Sequence, residues 1–205
     1  EAQDGLVTRG LNSLPSNIKE HPGFITAYNA HKSLSTHIRF LSPLKLSGYQ
    51  ARQDITGKDI QTHIFKFFRD RFERQRINLS ISEDFLNISI HDLPSRIHPV
   101  FINIINNALY WVCLGNTEER HINIDLIEGN VVIANSGPPV YPDDADSIFD
   151  LFTTKRANGN GVGLYLCREN LSKAHHKIRY ELDSEKMSIK DGANFTIIFH
   201  GMEIK

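Results

Sequence analysis

The chain has 205 residues, 40% of them hydrophobic, so it can bury one sizeable core and we expect one or two domains. Its formal net charge of -1 at pH 7, without a basic run, argues against a nucleic-acid partner held by charge. No apolar run is long enough for a membrane span and no secretory leader precedes the first element, so we expect no membrane contact from these residues.

Residues 1 to about 20 show no sustained periodicity and are predicted to be weakly structured. A helix is predicted from Pro22 to Leu41, and Pro43 ends it. Its apolar stripe consists of Phe24, Tyr28, Leu34, Ile38 and Leu41. This helix contains His31 and His37, and for His31 a packing role is favoured over a phosphoacceptor role. Pro43 to Lys58 is predicted to be a connector, which divides the chain into a helical segment, 1–53, and a second domain, 54–205.

A helix is predicted from Asp59 to Arg74, capped by Thr56 or Asp59. Alternating apolar residues predict two strands, 77–81 and 86–90, joined as a hairpin. A buried helix follows from about Ser95, and a second strand pair, 121–128 with 131–134, turns at Gly129 and Asn130. A helix over 162–173 and strands over 178–182 and 195–199 complete an α+β fold, in which helices cover one face of a mixed sheet.

The helix around Val100 to Trp111 combines an apolar stripe with a polar seam. Asn103 and Asn107 lie one turn apart on a side away from the stripe. Amides on an apolar helix cost free energy unless they form hydrogen bonds. The two asparagines therefore form either a buried amide network or part of a ligand site. Cys113 and Cys167 lie in apolar helical patterns and are predicted to be reduced core thiols, which favours a cytoplasmic location.

Four separated motifs resemble those of one superfamily, and they occur in its order. Residues 103–108, NIINNA, resemble the N box of sensor histidine kinases, and residues 135–138, NSGP, resemble their G1 box. Residues 148–155, IFDLFTTK, resemble the F box, and residues 159–164, GNGVGL, resemble the G2 box. The stretch from Asp54 to Phe199 thus resembles the ATP-binding catalytic domain of these kinases, in the group that also holds gyrase, MutL and the heat-shock chaperones. The fold implied is the Bergerat fold, a two-layer α/β sandwich with a mostly antiparallel sheet.

The resemblance implies that Asn107 holds Mg²⁺ through its carbonyl oxygen, with Asn103 beside the metal or its waters. Gly161 and Gly163 let the backbone approach the phosphates of ATP, and the helix after Val162 directs its N–H groups at them. Lys155 belongs to a mobile lid and either contacts phosphate or is a solvated surface charge. The other residues implied in nucleotide binding are Asn135, Gly137, Phe152, Thr153, Thr154, Gly159, Leu164 and Asn194.

The motifs also depart from the family pattern. Asn135 stands where the family has an aspartate that reads the adenine amino group, and an amide supplies no charge. Pro139 replaces the second glycine of the G1 box, and Tyr110 replaces a basic residue that follows the N box. Ala193 and Asn194 replace threonines of the last strand region.

Asn103 also bears on the reaction. Hydrolysing members of the superfamily have a glutamate there to activate water, and an amide is not a general base near neutral pH. The resemblance therefore favours phosphoryl transfer to a histidine, in two-component signalling with a response regulator. That histidine would lie on a helix before Glu1 in a longer, membrane-anchored protein, and the helix at 22–41 would form a homodimer. An ATP-hydrolysing conformational switch and a non-catalytic ATP-sensing scaffold are the alternatives.

Overall fold

The computed structural model describes residues 13–25, 28, 51–114, 119–157 and 159–205. The chain divides into two compact units, Glu1–Ser47 with Thr154–Asn160 and Gly48–Thr153 with Gly161–Lys205. In the first unit a short helix spans Ser16–Lys19, and residues 22–25 and 28 are helical. The predicted helix start at Pro22 therefore lies in helical backbone. The later part of that helix, with His31 and His37, lies outside the described residues.

The second unit contains the α+β domain. Its helices are α1 (Gly57–Gln75), α2 (Glu83–Leu86), α3 (Pro94–Leu114) and α4 (Gly163–Ser172). Its strands are β1 (Gln53–Thr56), β2 (Asn78–Ile81), β3 (Ile88–Asp92), β4 (His121–Ile127), β5 (Asn130–Asn135), β6 (Lys177–Tyr180), β7 (Ala193–Ile198) and β8 (Glu203–Ile204). Short 3₁₀ turns cover Pro142–Asp144, Ser147–Phe149 and Ser184–Lys186.

The main sheet has the strand order β2-β4-β5-β7-β6, and a smaller sheet has the order β1-β3-β8. Strands β2 and β4 are parallel, whereas the other strand pairs are antiparallel. Helix α3 packs on β4 and β5, α4 packs on β6, and α1 packs along α3. The α+β prediction is therefore confirmed, with a mixed, mostly antiparallel sheet and helices on one face.

The predicted hairpin between residues 77–81 and 86–90 is wrong. Strand β2 pairs in parallel with β4, whereas β3 pairs with β1 in the other sheet. Between them, Ser82 caps the short helix α2 by accepting a hydrogen bond from the N–H of Phe85. The alternating pattern located β2, but the second predicted strand begins too early, because Leu86 ends α2 and β3 runs from Ile88 to Asp92. A local pattern also carries no information on which partner a strand pairs with.

The connector predicted for 43–58 extends too far. Strand β1 already begins at Gln53, and α1 begins at Gly57. Thr56 is the N-cap of α1 and forms a capping box with Asp59, as predicted for this position. At Gly57 a Cβ atom would lie 1.9 Å from the backbone oxygen of Phe85, so only glycine fits at this helix start.

The β4–β5 hairpin turns one residue earlier than predicted. Ile127 pairs with Asn130, which leaves Glu128 and Gly129 as the two turn residues. Both have positive φ, 48° and 73°, as a type I′ turn requires. The predicted strand pair itself is confirmed.

Helix α3 is the central helix of the domain. It is long and apolar enough to cross a membrane by length and composition, and 56% of its most apolar window is buried within the protein. Core helices of globular domains pass the same test, so this is weak evidence for a membrane span. Its apolar stripe, which includes Ile105 and Leu109, is fully buried.

Candidate functional site

The polar seam of α3 lies at the border between core and solvent. Asn103 and Asn107 are half-buried, whereas Ile104 and Ile105 between them, and Ala108 after them, are buried. Within the part of the chain that the structure describes, the Asn107 side chain makes no hydrogen bond. A half-buried amide without a protein partner is suited to bind a ligand or an ordered water.

Asn103 lies against the first turns of α4. A Cβ atom on Gly163 would be 3.5 Å from Asn103 Oδ1. One turn further along α4, the Cys167 thiol is buried and donates to the Val100 carbonyl of α3 at 3.8 Å. Burial raises the pKa of Cys167 to about 12, and the nearby Asn103 side chain opposes this in part. Cys167 is therefore a neutral core thiol, as predicted.

The N-terminus of α4 is suited to bind an anion. Its N-cap, Val162, has no capping side chain, and the first turn, with Gly163 and Leu164, contains no acidic residue. The first N–H groups of a helix lack intrahelical acceptors and carry a partial positive charge. A phosphate group can accept hydrogen bonds from them. The structure thus brings the N box and the G2 box together beside an anion-binding helix end.

The two ends of the lid segment are joined by backbone contact. The N–H of Phe152 donates to the carbonyl oxygen of Gly161 at 3.0 Å. Gly161 has a φ of +63°, and a Cβ there would lie 2.3 Å from the carbonyl carbon of Phe152. Phe152 itself has a φ of 67° and is 72% exposed, and the adjoining Thr153 is exposed too. Only glycine can stand at position 161 without moving this hinge.

The lid residues between these ends belong to the first unit. There the N–H of Arg156 donates to the Thr154 hydroxyl at 3.1 Å, and the N–H of Gly159 donates to the Arg156 carbonyl at 2.9 Å. Lys155 is exposed. The contacts of Thr154, Lys155 and Gly159 with phosphate stay predictions.

The G1 turn packs against α3 about one turn beyond Asn107. Asn135, at the end of β5, is 1% exposed, and its Oδ1 accepts a hydrogen bond from the N–H of Gly137 at 3.0 Å. A Cβ on Gly137 would lie 2.8 Å from the Trp111 carbonyl carbon, so Gly137 is needed for this close approach. The predicted base-binding residues and the predicted metal ligand therefore lie along the same side of α3.

An aromatic cluster, which sequence reasoning missed, lies behind the G1 turn and the F box. Phe195 forms edge contacts with Phe149 at 6.3 Å and with Tyr180 at 5.5 Å between ring centroids. The Tyr180 hydroxyl accepts a hydrogen bond from the N–H of Val140 at 2.9 Å, which holds the chain that follows Pro139. Arg168 of α4 lies over the Phe149 ring at 6.0 Å and pairs with the Asp150 carboxylate at 3.2 Å. The F box is thereby attached to α4.

The structure does not bring Asn194 to the other predicted site residues. Asn194 pairs with Ala134, so its side chain lies on the face of the sheet opposite to that of Asn135. There its amide holds the β6–β7 connector, accepting from the N–H groups of Ser188 and Ile189 and donating to the carbonyls of Ile189 and Gly192. The side chain is fully buried and shapes that connector.

A second asparagine of the N box has a structural partner that the sequence did not reveal. Asn106 Oδ1 accepts a hydrogen bond at 2.9 Å from Arg71, which lies on α1. Asn106 and Asn107 are neighbours in sequence, yet they lie on different sides of α3. Tyr110, in place of the basic residue of the family, is half-buried and contacts Trp111 edge-on at 5.0 Å.

The donor set suits magnesium better than a transition metal. Among the described residues there is no group of three His, Cys, Asp or Glu side chains that could hold a metal ion. Mg²⁺ instead prefers oxygen ligands, retains waters and is commonly bound through substrate phosphates. The Asn107 amide has no hydrogen bond to a described residue and lies one turn along α3 from Asn103, which contacts the start of α4. This arrangement fits Mg²⁺ bound together with a nucleotide.

Comparison with known families decides which of these interpretations applies. The family described as histidine kinase-, DNA gyrase B- and HSP90-like ATPase matches residues 92–201, just over half of the chain. The chain belongs to this family. The matched residues include all four predicted motifs, and relatives of the chain include sensor histidine kinases such as ZraS.

Two curated relatives illustrate the similarity. The domain is 28% identical to the heme sensor protein HssS of Staphylococcus saprophyticus over 146 residues, which is 69% of this chain and 31% of HssS. It is 25% identical to the sensor histidine kinase ZraS of Salmonella typhimurium over 126 residues, 60% of this chain and 26% of ZraS. The chain thus spans less than a third of the length of these relatives.

Solved structures share the fold of this ATPase domain. The catalytic domain of histidine kinase ThkA superposes with a TM-score of 0.58 at 21% identity, covering 72% of this chain and 94% of ThkA's domain. Full-length ShkA in complex with AMPPNP gives a TM-score of 0.59 at 16% identity, covering 86% of this chain and 37% of ShkA. ThkA in complex with the response regulator protein TrrA gives a TM-score of 0.56 at 20% identity, covering 95% of this chain and 55% of the matched chain.

Proposed function

We propose that this chain is the ATP-binding catalytic core of a histidine kinase, which transfers the γ-phosphoryl group of Mg-ATP to a histidine on a helix. The observation that carries the proposal is the contact between the N box and the G2 box. Asn103 lies against Gly163 at the start of α4, and the unpaired Asn107 lies one turn further along α3. Phosphoryl transfer needs positioning and charge stabilisation of this kind and little covalent work by the protein.

Each group of the site has a distinct role in this proposal. Asn107 is the residue that would hold Mg²⁺, and the ion would supply positive charge that offsets the charge of the phosphates. The N–H groups at the start of α4 hold the terminal phosphate, and the joined lid ends at Phe152 and Gly161 set where the lid closes and excludes water. Lys155, Thr153 and Thr154 contact phosphate from that lid.

Asn103 favours transfer over hydrolysis. Its amide has no useful basicity near neutral pH, and it lies against the start of α4 at Gly163. A water molecule beside the terminal phosphate would therefore find no general base at this position. The nucleophile must instead bring its own basic nitrogen, as an imidazole does.

The acceptor histidine and the partners follow from the same proposal. The segment 1–53 would be the second helix of a dimerisation hairpin and its linker, and the acceptor would lie on a helix outside this chain. ThkA occurs in complex with a response regulator, so we propose a response regulator as the protein that receives the phosphoryl group here. The catalytic core would work in the cytoplasm, in a longer, membrane-anchored protein.

The test uses a longer protein that includes the upstream helix, incubated with Mg-ATP labelled on the γ-phosphate. An acid-labile, alkali-stable label on histidine, abolished by Asn107→Ala, supports the proposal. Asn78→Ala, at an exposed position on β2, is the matched control and should label as the wild type does. Steady phosphate release without a labelled protein would instead indicate an ATP-hydrolysing switch, and binding of Mg-ATP without either reaction would indicate a nucleotide-sensing scaffold.

A further inference from the structure

Asn135 lies at the predicted base-binding end of the site, and its neighbours determine the orientation of its side-chain amide. Asn135 ends β5, and it pairs with Ile122 on one neighbouring strand and Ala193 on the other. Its side chain therefore lies on the sheet face that carries Ile133, the face covered by the helices. Only 1% of the residue is exposed, so the orientation of its amide matters.

The N–H of Gly137 determines the orientation of the Asn135 amide, that is, which of its two terminal atoms is the oxygen. This N–H is a donor, so the Asn135 atom 3.0 Å away must be the acceptor, the carbonyl oxygen Oδ1. A flipped amide would set the Nδ2 donor against the N–H donor and leave both unsatisfied in a buried place. The oxygen of Asn135 therefore already accepts one hydrogen bond within the protein, whereas the Nδ2 group has no partner among the described residues.

The backbone around Asn135 gives the side chain little freedom to rearrange. A Cβ on Gly192 would lie 2.0 Å from the Asn135 carbonyl oxygen, and one on Gly137 would lie 2.8 Å from its Oδ1. The next residue, Ser136, donates its N–H to the His121 carbonyl at 3.0 Å. The close approaches of Gly192 and Gly137 and the hydrogen bond of Ser136 thus fix the end of β5.

The Nδ2 group donates no hydrogen bond within the described part of the chain. It is not among the fully buried atoms without a partner, so a ligand or a water can reach it and accept its hydrogen bond. Adenine presents an amino group, a donor, at C6, whereas hypoxanthine and guanine present a carbonyl oxygen, an acceptor, at the same carbon. An Nδ2 donor complements the carbonyl oxygen and opposes the amino group.

We propose that Asn135 shifts the base preference of this site from adenine toward 6-oxopurines, the base class of inosine and guanosine triphosphates. The inference rests on the proposed function, since it assumes that a purine triphosphate occupies the site with its base at Asn135. It concerns the base alone, because the Mg²⁺ and phosphate contacts lie at Asn107 and at the start of α4. An aspartate at 135 would keep the bond from Gly137 and turn the other end into an acceptor.

The test measures the affinities of Mg-ITP and Mg-ATP for the wild-type chain and for Asn135→Asp by titration calorimetry. ITP is the cleanest probe, because its base differs from adenine only at C6 and at the adjoining N1 proton. We expect the wild type to bind Mg-ITP at least as tightly as Mg-ATP. We expect Asn135→Asp to move the ratio of the two affinities toward ATP by about tenfold or more.

The control is Asn130→Asp, which makes the same change of charge at the other end of β5, where the Asn130 amide donates an exposed hydrogen bond of 3.2 Å to the Glu128 carbonyl. It should leave the ratio unchanged, and thermal unfolding should show that all three proteins are folded. A wild type that prefers Mg-ATP, with a ratio that Asn135→Asp does not move, overturns the inference and leaves the proposed function standing. Failure of both triphosphates to bind the folded wild type overturns the proposed function itself.

Discussion

His63 and His98 stack face to face between α1 and α3, with ring centroids 4.1 Å apart and an interplanar angle of 17°. Burial, together with the charges of His98 and Lys66, lowers the pKa of His63 to about 4. Burial also lowers the pKa of His98, and Asp59 opposes this in part. His98 Nδ1 is buried without a hydrogen-bond partner in the described residues. Both rings are therefore neutral in the folded protein near pH 7.

The histidine pair predicts a loss of stability in mild acid. The unfolded chain takes up protons as the pH falls below about 6.5, whereas folded His63 resists until about pH 4. Stability is thus fully present above pH 6.5 and falls as the pH decreases toward 4, by about 1 to 2 kcal/mol between pH 7 and pH 5. Urea unfolding at a series of pH values measures this.

His63→Gln should flatten that pH dependence, since it removes the titrating group with the most strongly lowered pKa of the pair. His175→Asn is the control, because His175 is exposed and its positive φ of 61° suits asparagine. If the free energy of unfolding of His63→Gln changed with pH as steeply as that of the wild type, the assigned role of the histidine pair would be contradicted.

The hinge glycine gives a second prediction. Gly161→Ala places a Cβ 2.3 Å from the Phe152 carbonyl carbon at a φ of +63°, so the two ends of the lid must separate. We expect a loss of Mg-nucleotide affinity of tenfold or more, which calorimetric titration measures. Gly129→Ala has a similar φ of +73° but meets no atom within 4 Å. This control should cost about 1 kcal/mol of stability and leave nucleotide affinity unchanged.

The metal ligand gives a third prediction. Asn107→Ala should abolish the Mg²⁺ dependence of nucleotide binding and lower the affinity by at least about tenfold. Its free energy of unfolding should change by no more than about 0.5 kcal/mol, because the side chain is half-buried and has no hydrogen bond to a described residue. A large loss of stability with unchanged Mg²⁺ dependence would show instead that Asn107 serves the core.

A buried charge network below the site gives a fourth prediction. Asp92, at the end of β3, accepts hydrogen bonds from Arg96 and from Nε2 of His176. The His176 Nδ1 accepts from the N–H of His200 at 2.9 Å, so its proton lies on Nε2. Burial acts to raise the pKa of Asp92, but the bonds from Arg96, Leu93 and His176 outweigh it and hold the pKa below its ordinary value.

Asp92→Asn should therefore destabilise the domain by about 2 to 4 kcal/mol, because Arg96 loses its charge partner in a buried place. Chemical denaturation measures the change. Asp54→Asn removes the exposed pair with His91, in which both side chains are about 60% exposed. Its denaturation midpoint should equal that of the wild type within experimental error. Equal effects of the two substitutions would contradict the structural role of Asp92.

Local patterns were sufficient to predict most individual elements. The spacing of the buried residues predicted α1 and α3, and Thr56 with Asp59 marked the start of α1. The Gly129 turn was displaced by one residue, because two residues with positive φ are needed and Glu128 supplies the first. The two-residue strand β8 was missed, since a segment this short shows no periodicity.

Pairing across the chain was not accessible from these patterns. Only residues 82–87 separate strands β2 and β3, yet the strands join different sheets, because β2 pairs with β4 and β3 pairs with β1. The contact of Arg71 with Asn106 likewise arises because α1 and α3 pack side by side. Asn194 lies on β7, next to β5, but it pairs with Ala134, so its side chain lies on the sheet face opposite to that of Asn135.

By itself, the sequence was sufficient to indicate the family and to predict residues for the site, because the four motifs combine residue types with fixed local spacing that phosphate and Mg²⁺ binding require. Only the tertiary structure decided how those residues meet: that Asn103 lies on Gly163 and that the Asn135 oxygen is engaged by Gly137. The physical reason is that the direction of a side-chain hydrogen bond depends on neighbours, some of them from distant strands and helices. The base preference proposed for this site depends on that direction and not on the motif alone.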